Sequence, residues 1–143
     1  MPLNWAATQN NLGTALTALA ERDSGTDQAA QAVQAFRLAL KEWTRENVPL
    51  GWAVTQANYG RALTIIGERE NSRTLLLDAV TAACAALEEL PQERVPLNWA
   101  DAQYKLGLAL TALGKSESGT ARLEQAAAAY RAPQETRARA RSA

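Results

Sequence analysis

The chain has 143 residues, 47% of them hydrophobic and 6% aromatic, with 15 basic and 15 acidic side chains, one cysteine and no histidine. This is one domain's worth of material, long enough to bury a core. It excludes an internal disulfide and histidine-based acid–base chemistry, and with 11 basic against 14 acidic groups in residues 1–130 it offers no whole-domain attraction for nucleic acid.

Pro2-Leu3-Asn4-Trp5-Ala6 opens an expected helix running to about Glu21, with Leu12, Ala15, Leu16 and Leu19 at the i, i+3, i+4, i+7 spacing of an amphipathic stripe. Either Pro2 at the first helical position or Asn4 as an N-cap can start it. Arg22-Asp23-Ser24-Gly25-Thr26 breaks the pattern, and Thr26 is an expected N-cap for a second helix reaching about Trp43. That helix carries Ala29, Ala32, Val33, Phe36, Ala39 and Leu40 on one face. The short break makes the two helices an antiparallel hairpin.

The opening five residues return as Pro49-Leu50-Gly51-Trp52-Ala53 and as Pro96-Leu97-Asn98-Trp99-Ala100, a period of 47 residues without a gap. Gly13, Gly60 and Gly107 share a register, as do Leu16, Leu63 and Leu110, and Thr17, Thr64 and Thr111. First helices are therefore expected again from about Leu50 to Glu68 and Leu97 to Lys115, and Leu76, Ala79, Val80, Ala83, Ala86 and Leu87 repeat the second-helix face. A fixed period of this size signals stacked units that bury their apolar faces against neighbours. Glycine inside a helix costs about 0.5–1 kcal/mol relative to Ala, so three in one register predict a close approach, with Phe36 fitting where a Cβ would clash. Trp5, Trp52 and Trp99 are read as packing between units.

Leu12-Gly13, Ala15-Leu16, Ala32-Val33, Phe36 and Ala39-Leu40 resemble the signature of the tetratricopeptide repeat, over residues 2 to about 132. The common unit is about 34 residues; by alignment about seven of the extra residues lengthen the inter-helix loop and about six extend the first helix. The pattern is similar to the long, kinesin-light-chain-like branch known in bacterial multidomain proteins. The resemblance implies an all-α fold: an α-solenoid of three helix-turn-helix repeats, about 2–48, 49–95 and a truncated 96–132, in a right-handed superhelix. The aromatic of Phe36 becomes Ala83 and then Tyr130, and Ala39 and Ala86 become Pro133. Since proline in a helix interior costs about 3 kcal/mol or more, the sixth helix is expected to end near Arg131 or Ala132, leaving 133–143 as a disordered basic tail.

The resemblance also implies a protein–protein interaction module that holds a peptide or partner protein on the concave face of the first helices. The positions carried over are Asn10, Asn11, Thr14 and Thr17, then Asn58, Arg61 and Thr64, then Asp101, Tyr104 and Lys105. Asn can donate to and accept from an extended backbone, and Arg61 and Lys105 could hold a carboxylate. The alternative is a self-associating scaffold. Without a capping helix the array would leave Leu123, Ala126, Ala127 and Tyr130 uncovered, closing as a homodimer or running head to tail.

Catalysis finds no support: no metal-ligand spacing, phosphate loop or paired nucleophile and base is present, and Glu88 and Glu89 diverge on a helix. No cofactor is implied. Cys84 has no activating neighbour. The tail Arg137-Ala138-Arg139-Ala140-Arg141 is the one basic cluster, too small for more than feeble, salt-sensitive phosphate contact. No apolar run approaches the ~18–20 residues that span a bilayer, and MPLNWAATQNN lacks the order of a secretory signal. A cytoplasmic protein is the expectation.

Overall fold

The computed structural model describes residues 2–142 as six helices, with no strand among the described residues. They are α1 (Pro2–Arg22), α2 (Asp27–Glu42), α3 (Pro49–Arg69), α4 (Arg73–Glu88), α5 (Pro96–Lys115) and α6 (Ala121–Ser142). Proline takes the first turn of α3 and α5, where its missing N–H belongs to the set that has no intrahelical partner. Thr26 occupies the N-cap of α2 but makes no side-chain cap bond. Ser72 does cap α4, its hydroxyl accepting from Leu75 N–H at 3.3 Å.

Helices pair as α1·α2, α3·α4 and α5·α6, and each hairpin then packs on the next through α2·α3, α4·α5, α1·α3 and α3·α5. Neither α1 nor α2 packs against α5 or α6. The turns inside hairpins are short, residues 23–26, 70–72 and 116–120, while the links between hairpins span 43–48 and 89–95. The loop inside each hairpin, expected to be the lengthened one, is instead the shorter connection, and the longer segments link one hairpin to the next. The tightest turn ends α3 with Asn71 at φ 55°, Ser72 N–H donating to Gly67 O at 2.8 Å. This is the 6→1 closure of a left-handed helix stop, which Asn tolerates better than most residues.

Hairpin packing rests on matched small and large positions. A Cβ built on Gly13 would lie 2.5 Å from Phe36 Cε1, and one on Gly107 would meet the Tyr130 ring. Where the aromatic is replaced by Ala83, the helices close until Gly60 meets backbone, with Ala79 O 3.1 Å from the same Cβ position. A second exchange lies near the turn. Ala20 and Ala29 are both fully buried in the first hairpin, whereas Gly67 lies under Leu76 and Gly114 under Leu123 in the others. Volume removed from one helix is returned by its partner, as close-packed interiors require.

Between hairpins, Val33 and Phe36 share a core with Ala62, Leu63, Ile65 and Ile66, and Leu76 and Val80 meet Ala112 and Leu113. Trp52 and Trp99 pack around Ala53, Ala57, Leu90 and Ala102, as expected of residues filling the space between units. Arg45 lies over the Trp52 ring at 5.1 Å and bonds Glu89 at 2.7 Å, and Arg73 bonds Glu117 at 2.6 Å.

One boundary differs from the sequence reading. The sixth helix does not stop at Arg131 or Ala132; it continues through Pro133 to Ser142. Proline removes the bond to Ala129 O, but the chain beyond it is held by other contacts. Thr136 Oγ1 donates to Ala132 O at 3.1 Å, and Gln92 Nε2 donates to Thr136 Oγ1. Gln92 and Thr136 stand one period after Arg45 and Glu89, so the contact that ties one hairpin to the next recurs beyond the proline.

Candidate functional site

On the side where α1, α3 and α5 lie together, a cavity of about 220 Å³ opens over Phe36. Thr14, Thr17, Ala18 and Glu21 line it from α1, Asn58 and Arg61 from α3, and Tyr104 and Lys105 from α5. Six of the residues expected on the concave face are thereby gathered from three helices: Thr14, Thr17, Asn58, Arg61, Tyr104 and Lys105.

A polar ladder crosses the floor. Asn10 Oδ1 accepts from Thr55 Oγ1 at 3.2 Å and from Asn58 Nδ2 at 3.3 Å. Asn58 Oδ1 in turn accepts from Lys105 Nζ at 2.6 Å, and Lys105 pairs with Asp101 at 2.5 Å. Arg61 pairs with Glu21 at 3.0 Å. Both cations are rooted, with side chains 17% (Arg61) and 16% (Lys105) exposed, whereas Glu21 and Asp101 are 47% and 52% exposed. In each pair the carboxylate is the solvent-facing partner and the cation the buried one. The face that an arriving carboxylate would meet is thus occupied by Glu21 and Asp101, with Arg61 and Lys105 beneath them. Tyr104 stands at the rim, 55% exposed, its ring 6.1 Å from that of Tyr130.

Not every expected residue has an open side chain. Thr17 and Thr64 are buried, and their hydroxyls donate to Gly13 O at 2.8 Å and Gly60 O at 2.9 Å. Thr17 borders the cavity, and Thr64 is inside the core. Thr14, exposed, donates to Asn10 O at 2.9 Å. Asn10 belongs to the ladder, and Asn11 lies on an exposed part of α1 outside the cavity. Ala18 and Glu21 also line the cavity, about one and two turns of α1 beyond Thr14, with Glu21 opposite Arg61; the residue pattern of α1 alone does not mark them.

The uncovered end patch is also arranged differently. Ala126 is buried, and Ala127 and Tyr130 are half-buried with the Tyr130 ring over Gly107, whereas Leu123, beside Gly114, stays exposed. Past Pro133, Arg137 and Arg141 join Pro96, Leu97 and Trp99 around a groove of about 620 Å³. Cys84 is exposed on α4. Partial burial, and secondarily the Glu88 carboxylate, push its thiol above the ordinary cysteine pKa.

Among the described residues no cluster of potential metal ligands exists, and no helix is long and apolar enough to cross a membrane. Comparison with family models, with curated proteins and with solved structures finds no match to this chain.

Proposed function

We propose that this chain is a tetratricopeptide-like solenoid of three hairpins that binds an extended segment of a partner protein along α1, α3 and α5. It is a binding module rather than an enzyme. The observation that carries this reading is the cavity itself, in which three successive first helices supply Thr14, Asn58, Arg61, Tyr104 and Lys105 to one place. A convergence of polar groups on a concave apolar base suits recognition. The rooted cations favour a segment bearing a carboxylate, with the exposed Tyr104 hydroxyl available to its backbone.

A peptide array scanned with the purified chain tests the reading. Arg61→Ala combined with Lys105→Ala should weaken acidic peptides by about tenfold or more, the scale of losing charge-assisted hydrogen bonds. Asn11→Ala, outside the cavity, should leave binding unchanged. Peptide binding that survives the double variant would move the site elsewhere.

A further inference from the structure

The structure contains its own comparison for the outer side of α1. Trp5, Leu12, Ala15 and Leu19 are all exposed, with Leu12 at 46% and Leu19 at 52%. One period later the same positions are Trp52, Tyr59, Ala62 and Ile66, and a period after that Trp99, Leu106, Ala109 and Leu113. None of those eight is exposed, because α2 covers this side of α3 and α4 covers it on α5. Ile66 falls to 8% and Leu113 to 0%. Within this chain no helix packs on the outer side of α1, the side that receives α2 on α3 and α4 on α5.

We propose that it receives the same surface of a second copy of the chain, as an antiparallel α1–α1 contact about a two-fold axis through Leu12. Trp5, Leu12 and Leu19 are spaced by seven residues, the repeat of a helix-pairing seam. They are also symmetric about Leu12, so a two-fold sets Leu12 on Leu12 and Trp5 on Leu19 of the other copy. Residues 1–20 carry no charged side chain, so nothing charged is buried by the pairing.

The other end of the chain is a poor occupant. The α4 positions that cover α5 include Leu77, Val80 and Leu87, and their equivalents on α6 are Glu124, Ala127 and Gln134. A head-to-tail filament would bring Glu124 against an apolar face, whereas a two-fold closes on itself. Thr17 lies about 140° around α1 from Leu12 at 100° per residue, so both cavities stay open in the pair.

The test is absolute mass of the intact chain by light scattering, from about 1 to about 100 µM, the range in which modest interfaces titrate. The expected result is a rise from 15.4 kDa towards twice that value and no further. Leu12→Glu places two carboxylates on the axis and should raise the dissociation constant by about 30-fold or more. Its helical circular dichroism should be unchanged, since Leu12 supports no core. Facing Cα atoms in a close helix pair lie about 4–6 Å apart, within disulfide reach. In a Cys84→Ser background, Leu12→Cys should therefore cross-link to a covalent dimer under mild oxidation much faster than Thr14→Cys. A constant monomer, growth beyond a dimer, a dimer indifferent to Leu12→Glu, or equal cross-linking at both positions would each overturn the proposal.

Discussion

Gly13→Ala should destabilise the protein even though alanine is the better helix former. Within a helix the exchange gains about 1 kcal/mol. The new Cβ, however, would lie 2.5 Å from Phe36 Cε1 and 2.7 Å from both Cδ1 and Cζ. Carbon atoms rest at about 3.5–4.0 Å, so the overlap is about 1 Å against three ring atoms at once. Phe36 is fully buried and packed into the core of the first two hairpins, so moving its ring disturbs the residues around it. Overpacking of this kind costs about 1–3 kcal/mol, leaving a net loss of about 0–2 kcal/mol once the helix gain is subtracted. The decisive measurement is a double-mutant cycle by urea unfolding with Phe36→Ala. That single change should cost about 3–5 kcal/mol. In its background Gly13→Ala should become stabilising, giving a coupling of about 1–3 kcal/mol. Gly25→Ala and Gly119→Ala serve as controls. No atom lies within 4 Å of either Cβ position and neither residue has a positive φ, so each should gain about 0.4–1 kcal/mol. If Gly13→Ala alone stabilised the protein, or coupled to Phe36 by nothing measurable, the close-approach account of the glycines would fail.

The remaining predictions concern the parts least like an ideal repeat. Pro133→Ala restores an N–H able to bond Ala129 O and should stabilise α6 by up to about 3 kcal/mol; amide exchange from residue 134 onward should slow, and unchanged exchange would mean the proline costs the helix nothing. The Cys84 thiol, held above its ordinary pKa first by burial and then by Glu88, should alkylate slowly at neutral pH. The midpoint of its pH–rate profile should lie higher in the folded chain than in the same chain in urea, and a lower folded midpoint would contradict that assignment of causes.

Much of the architecture was legible because a period is a physical constraint stated three times. The register of Gly13, Gly60 and Gly107 announced a close approach, and the aromatic positions Phe36 and Tyr130 identified what approaches. The matching of Gly67 with Leu76 and Gly114 with Leu123 was equally present in the sequence, but its meaning depends on knowing which turn of one helix faces which turn of the other. Proline 133 misled for a definite reason. Local propensity counts the lost hydrogen bond and the steric cost, whereas the helix beyond it is held by Thr136 and Gln92, the latter 44 residues away.

The candidate site divides along the same line. The repeat resemblance implied Thr14, Asn58, Arg61, Tyr104 and Lys105 for one face of the first helices, because each slot is set by spacing along a single helix. It could not show that Arg61 is held by Glu21 or that Lys105 is shared between Asn58 and Asp101, since those partners meet only when separate helices stack. Nor could it separate Thr17 and Thr64, which are buried, from Thr14, which is exposed. The sequence by itself determined the first five helices, their pairing into hairpins and the close approach at Gly13 and Phe36, all set by covalent spacing and side-chain size. Only the tertiary structure decided which polar groups are already partnered and which apolar face is left uncovered, because both depend on the distance between surfaces that the chain brings together from far apart.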